Sequence, residues 1–184
     1  MRGVILCKGK PYLRFTIVSF VIVVFCHFVI SSFVIPSFVN KTRQQMHLQV
    51  LTQKHEMLPL YPLIHQLSPS VTPERYTQLL DDMLAHGYRM VAVFEGDACL
   101  GLSGFWVITK IYSGKYLEMD NVVVAADQRS KGIGKVMCDF LLDLALREGC
   151  ETLMLDAYLE NEKAHAFYER EGFIKRGYHF IKVI

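Results

Sequence analysis

Between Tyr116 and Glu148 an apolar run, a basic glycine-bearing turn and an amphipathic stretch follow one another without a break, and no other segment limits the fold so strictly. Tyr116 to Val124 predicts a strand whose Val122, Val123 and Val124 look buried on both faces, which requires helices on both sides of a sheet. The turn Arg129-Ser130-Lys131-Gly132-Ile133-Gly134 then enters a helix from about Gly132 to Glu148, with Val136, Met137, Phe140, Leu141 and Leu144 on its inner face.

The surrounding pattern completes a layered domain. His47 to Leu51 alternates like a strand. Thr52 can cap a helix carrying Leu58, Tyr61, Leu63, Ile64 and Leu67, stopped by Ser68 and Pro69. Thr72, Pro73 and Glu74 form a stronger helix start before Tyr76, Leu79, Leu80, Met83 and Leu84, and Gly87 ends that helix. Tyr88 to Phe94 and Ala98 to Ile108 flank the turn Glu95-Gly96-Asp97 as a hairpin. Thr152 to Leu155 predicts a buried strand, Glu162 to Glu171 a helix, and Tyr178 to Val183 a closing strand. The order β-α-α-β-β-β-α-β-α-β implies an α/β (α+β) fold, a mixed, twisted central sheet flanked by helices.

Charge divides the chain into a leader, residues 1–45, and a domain, residues 46–184. Arg2, Lys8, Lys10, Arg14, Lys41 and Arg43 precede Met46 and no acid does, so all 18 acidic residues belong to the domain. That mildly acidic body lacks the clustered basic face a nucleic-acid reader needs, which favours a small or peptide-like partner. Five cysteines without a CxxC pair fit reduced thiols, and no HExxH pair or other spacing suggests a metal.

From Phe15 to Val39 the leader runs 25 residues without a formal charge, ~37 Å as a helix and long enough for a hydrocarbon core. Its flanking bases weakly favour an inside N-terminus, which would put the domain outside. Two readings stand: a start placed upstream of the true one at Met46, which is favoured, or a membrane anchor through residues 15–39. In either case the catalytic domain is expected to be cytoplasmic, with membrane contact only through the leader.

The 129–134 turn sits where amide donors and the positive end of a helix can converge on an anion. It lacks the third glycine of a dinucleotide fingerprint, and there is no GxxxxGK[ST] loop; an ordinary glycine-bearing turn is the plain alternative. Downstream, Asn161, Ala164, Tyr168, Gly172 and Phe173 stand in the pattern NxxAxxxYxxxGF. With these two motifs in this order and context, Met46 to Ile184 resembles the GCN5-related N-acetyltransferase (GNAT) superfamily. Its [Q/R]xxGx[G/A] signature matches Arg129, Gly132 and Gly134. Ser130 and Ala126 depart from it, where Gly and Pro are frequent, and predict altered loop stiffness with binding retained.

The resemblance implies transfer of an acetyl group from acetyl-CoA to an amine. It implies that amides of Arg129, Ser130, Lys131, Gly132, Ile133 and Gly134 hold the pyrophosphate, and that backbone groups of Val122, Val123 and Val124 meet the pantetheine arm and polarise the thioester. It further implies that Asn161 hydrogen-bonds the arm and Tyr168 protonates the departing thiolate, phenol and thiol pKa values lying near 10 and 8.5. Tyr168 on an amphipathic helix also has a packing reading, and Asn161 a capping one. Glu118 is the first candidate base for the incoming amine and Asp120 the second; alternation puts both on one face with Val122, and a solvated strand start is the alternative. Asp156 and Tyr158 are expected to line the acceptor pocket, with the helices from Thr52 to His86, the loop Lys110 to Lys115 and the tail from Arg176. The acceptor is expected to be a primary amine of a small molecule or peptide, and a homodimer is compatible with this reading. A non-catalytic acyl-CoA sensor, tethered by the leader, is the rival.

Overall fold

The computed structural model describes residues 45–184; the leader and both readings of it lie outside the described residues. Five strands form one sheet in the order β1-β2-β3-β4-β5: β1 (Met46–Leu51), β2 (Arg89–Glu95), β3 (Ala98–Lys110), β4 (Gly114–Val124) and β5 (Thr152–Leu155). The first four pair antiparallel and β5 joins β4 in parallel, the mixed sheet expected from sequence.

Helices cover both faces. Against one lie α1 (Lys54–Met57), α2 (Tyr61–Leu67) and α3 (Pro73–Ala85), whose Met57, Ile64, Tyr76 and Leu80 pack on Tyr88, Met90, Leu102 and Val123. Against the other lie α4 (Ile133–Arg147) and α5 (Glu162–Arg170), with Cys138, Leu141 and Ala145 of α4 on Val91, Phe105, Leu117 and Met119. The buried stripe of α4 is Ile133, Met137, Cys138, Leu141 and Ala145, so Val136, Phe140 and Leu144 from the expected inner face are its half-buried flank.

The single helix expected after Thr52 is broken into α1, a 3-10 turn (Leu58–Leu60) and α2. Pro59 and Pro62 cannot donate to the ladder of one continuous helix. Gln53 is the N-cap in place of Thr52; the Glu56 carboxylate accepts from the N–H groups of both, at 3.1 and 3.0 Å, which lowers its pKa. The start of α3 is as expected, Thr72 Oγ1 accepting from Arg75 N at 3.2 Å. A two-pronged ion pair from Arg89 to Glu148, 2.6 and 3.1 Å, fastens β2 to the end of α4.

The closing strand expected at Tyr178 to Val183 does not form. Residues 173–184 have no regular structure, and Tyr178, Phe180, Ile181 and Val183 are exposed. Alternation alone does not make a strand; it needs a neighbouring ladder, and the contact recorded here is His179 Nδ1 donating to Asp156 Oδ2 at 2.8 Å, just past the end of β5. Among the described residues no helix is long and apolar enough to cross a membrane.

Candidate active site at the β4–β5 opening

The site begins with a defect in β4. Leu117 and Met119 face α4, and strict alternation would turn Val123 the same way. Val123 instead packs with Met57 and Ile64 on the opposite face, while Val122 packs on the α4 side. The switch occurs at Asn121, which has φ +50°, opposite a register shift between Leu102 and Gly104 of β3. The bulge removes Val122 from the face that Glu118 and Asp120 share. Of the three valines only Val123 is buried, so burial of the whole run on both faces is also corrected. Left-handed backbone is tolerated by Asn, and here side chains hold it: Asp120 accepts from Asn121 N at 2.9 Å and from its Nδ2 at 2.8 Å, and Asn121 Nδ2 reaches the Tyr88 hydroxyl at 3.5 Å. Asp120 is thereby tied to the bulge through both of its carboxylate oxygens.

Pairing with β5 ends at Met119↔Leu155, so β4 from Asp120 to Val124 has β3 on one edge and an opening on the other. In an antiparallel pair, alternate residues turn their N–H and C=O groups toward the partner. Ala125 N donates to Leu100 O at 2.9 Å, so Val123 faces β3 with it, and Val122, Val124 and Ala126 turn toward the opening. Two of those groups are taken by Gln66 of α2: its Nε2 donates to Val124 O at 3.0 Å and its Oε1 accepts from Ala126 N at 3.1 Å. Val122 C=O and Val124 N–H remain on that side. A half-buried edge leaves such groups for a ligand or water to meet.

The turn that follows is shaped for an anion. Ser130 and Gly132 both lie in the left-handed region, φ +62° and +86°, so successive amides curl inward. Gly132 caps α4 with no side-chain acceptor, leaving the N–H groups of Ile133, Gly134 and Lys135 without intrahelical partners at the positive end of a 15-residue helix. A Cβ on Gly132 would meet nothing within 4 Å, so the cradle is open. Ser130 holds a side chain at a left-handed position, φ +62°, that glycine takes without steric penalty. Arg129 and Lys131 are exposed, Lys131 Nζ donating to Gln128 Oε1 at 3.1 Å.

The second motif is a complete helix with both ends tied. Asn161 Oδ1 accepts from Ala164 N at 3.2 Å, so its capping role is formed. At the far end Gly172 has φ +90°, Gly172 N donates to Glu169 O and Phe173 N to Tyr168 O at 2.9 Å, a Schellman ending in which Phe173 folds back on the Tyr168 ring. The two motifs meet: a Cβ on Gly134 would stand 3.1 Å from Phe167 Cζ, so the small residue lets α5 rest on the first turn of α4. Tyr168 is held edge-on by Phe167 and Phe173, ring centroids 5.1 and 5.6 Å apart, in the cluster that also holds Val122 and Cys138. Burial pushes its phenol up to about 12, and the Cys138 thiol adds to the rise.

The structure therefore brings Val122 and Tyr168 into one cluster and sets the first turn of α4 against Phe167 of α5, while Asn161 caps the exposed start of α5. Glu118 stands on the opposite face of β4, paired with Trp106, its carboxylate accepting from the Tyr116 hydroxyl at 3.3 Å. Asp156 and Tyr158 are exposed on the loop after β5, with Asp156 bound to His179. A shallow depression lined by His47, Gln49, Phe94, Gly96 and Asp97 lies on the β1–β2 side and contains none of these residues. Sequence reasoning missed Gln66 and the Asn121 bulge. The Asp-Asn pair before the valines was a faint signal for the bulge; nothing local marks Gln66, which acts 58 and 60 residues away.

Comparison with known proteins agrees with this architecture. The model of the acetyltransferase (GNAT) family matches residues 55–173. The chain is 31% identical over 141 residues to the uncharacterized N-acetyltransferase YhdJ of Bacillus subtilis (strain 168), covering 76% of this chain and 99% of that protein. It is 29% identical over 109 residues to glucosamine 6-phosphate N-acetyltransferase of Arabidopsis thaliana, covering 56% of this chain and 71% of the relative. Among solved structures, an aminoglycoside N-acetyltransferase in complex with CoA superposes with a TM-score of 0.65 at 14% identity, over 76% of this chain and 96% of the other, a likeness of fold alone.

Proposed function

The chain belongs to the GNAT family of acetyltransferases and acts in acetyl-CoA-dependent N-acetylation, and from that premise we propose that it acetylates a primary amine of a small molecule or peptide by direct attack on the thioester, using the opening beside β4. The observation that carries this reading is the set of unclaimed backbone groups at Val122 and Val124, aligned with a left-handed amide turn that begins eight residues after Asn121.

These residues fit acetyl-CoA. The turn amides from Arg129 to Gly134 suit a pyrophosphate, and the free groups of Val122 and Val124 suit the amides of a pantetheine arm. Val123 serves by packing, since its own backbone faces β3. When bound, acetyl-CoA supplies an activated acyl carbon and a thiolate leaving group. On this reading the Val122 N–H would donate to the carbonyl oxygen as charge develops there, an interaction that counts for most where water is excluded. The amine would approach from the Glu118 face, its nitrogen adding to the acyl carbon before the C–S bond breaks and the thiolate leaves. Glu118 takes a proton from the amine nitrogen, directly or through one water, and Tyr168 donates a hydrogen bond to the sulfur.

A phenol at about 12 holds its proton too tightly to give it up fully to a thiolate near 8.5. Tyr168 therefore stabilises the leaving sulfur as a donor, and the proton that completes the thiol comes from solvent. Asn161 spends its oxygen on the helix cap and can offer Nδ2 to the arm. The acceptor is bounded by α1–α3, with Asp156 and Tyr158 at the rim, and the amino sugar named for the Arabidopsis relative is one member of a panel to try.

The test is thermal unfolding of the full chain with and without acetyl-CoA, followed by an amine panel assayed for free CoA. At ~100 times the dissociation constant, linkage predicts ~2.7 kcal/mol of added stability. A shift with amine-dependent thiol release is expected; no shift in a folded protein would refute the reading.

A further inference from the structure

Gln66 is a polar side chain at the last turn of a helix that takes no part in the family's two motifs, yet it makes the long-range side-chain contact nearest to the candidate cofactor edge. Its carboxamide behaves as one peptide unit of a missing strand: it donates to Val124 O and accepts from Ala126 N, the two groups on the open side of β4 that flank Ala125. Ala125 is meanwhile held by β3 through its N–H. The junction between β4 and the anion-binding turn is thus gripped from both edges, by β3 on one and α2 on the other. Below Gln66 on the same helix, Ile64 packs in one cluster with Val123, so α2 touches the end of β4 through its core and through its rim.

Resting on the acetyltransferase reading above, we propose that Gln66 is a positioning residue: it fixes the direction in which Val124 N–H and the following turn present their amides, and so sets the affinity for the CoA moiety from the acceptor-side helix. The geometry suits this role and not that of a ligand contact, because both polar atoms of the carboxamide are spent on the main chain. Ala126, where proline is frequent in the resembling pattern, supplies the N–H that one of these bonds requires.

Position 126 also offers a clean test. Ala125 has φ −50° and ψ 137°, the extended conformation a residue before proline prefers, and Ala126 opens a 3-10 turn, where proline is accepted. Ala126→Pro therefore keeps the backbone path while replacing the N–H by a ring Cδ that also pushes Gln66 Oε1 away. On the full chain, dissociation constants for CoA are measured by calorimetry for the unaltered protein, Gln66→Met, Ala126→Pro and the double variant, with unfolding temperatures recorded without ligand. Gln66→Met is expected to weaken CoA binding about tenfold, the scale of one net hydrogen bond. In the Ala126→Pro background the same change should cost clearly less, since one of its two bonds is already gone. The unliganded unfolding temperature should barely move for Ala126→Pro, where the position is exposed, and should fall by no more than a few degrees for Gln66→Met, which leaves the half-buried Val124 C=O without its partner.

Equal losses in both backgrounds, or no loss in either, would overturn the positioning role, since a helix that merely packs has no reason to couple to one amide. Should Gln66→Met fail to fold, Ala126→Pro alone decides: CoA affinity retained in that variant would also overturn it. Absence of CoA binding by the unaltered chain is a separate result, which defeats the acetyltransferase reading itself.

Discussion

Replacing Tyr168 by Phe separates packing from chemistry more sharply than any other change in this molecule. The ring lies between Phe167 and Phe173, at 5.1 and 5.6 Å, and phenylalanine keeps both contacts. No hydrogen bond contributes to the perturbed phenol, whose rise to about 12 comes from burial and the Cys138 thiol. The expected change in stability is therefore within ~0.5 kcal/mol, or roughly 1–2 °C in unfolding temperature for a domain of this size. The expected change in turnover is ~10²-fold, ~2.7 kcal/mol of transition-state stabilisation, with the dissociation constant for CoA nearly unchanged. Because the phenol holds its proton to about 12, turnover of the unaltered enzyme should show no loss assignable to Tyr168 between pH 7 and 10. The assay is steady-state thiol release with an acceptor found in the amine panel, run beside CoA calorimetry and a thermal melt. Turnover within twofold of the unaltered enzyme, or an equal loss of CoA affinity and turnover, would refute the donor role. An alkaline limb near pH 9 that vanishes in Tyr168→Phe would refute the account of its ionisation.

Three further outcomes are expected. Glu118→Gln should lower turnover by ~10² or more across pH 6–9 with CoA affinity retained, and a rate profile matching the unaltered enzyme would remove Glu118 from the mechanism. Gly104→Ala would set a Cβ 1.9 Å from the buried Tyr88 hydroxyl, so it should cost ~1–3 kcal/mol by overpacking; combined with Tyr88→Leu the loss in denaturant midpoint should be clearly less than additive, and strict additivity would show that Tyr88 is not the obstacle. Finally, burial raises Tyr76 and Tyr168 to about 12 and Tyr88 further still, so above pH ~10 the folded state keeps phenol protons that the unfolded chain has lost. Stability from these groups is complete below pH ~10 and falls as pH rises toward 12, by up to ~1.4 kcal/mol per pH unit for each. Urea midpoints at pH 9 and 11 check the sign, and Tyr76→Phe should flatten the slope.

What sequence alone determined here is what neighbours along the chain can enforce. The Thr72 cap, the glycine endings of α3 and α5, the hairpin at Gly96 and the anion-shaped turn depend on residues within a few positions of each other, and each stands where the pattern placed it. The two motifs marked the family because their residues are themselves such local devices: a cap at Asn161, a left-handed ending at Gly172, an uncapped helix start at Gly132. Two prolines overruled the helical periodicity after Thr52, also a local effect, though one that periodicity hides.

Tertiary structure decided the rest. The parity of β4 after Asn121 depends on a bulge held by Asp120 and Tyr88, so alternation assigned Val122 to the wrong face. The opening that exposes Val122 and Val124 depends on where β5 stops pairing, and the tail after Phe173 has the alternation of a strand without the ladder to make it one. Gln66 earns its place only because two segments about sixty residues apart are brought together by the core between Ile64 and Val123. Side-chain period and turn chemistry are properties of adjacent residues. Which edge is left unpaired, and what reaches across to it, is a property of the whole packed sheet.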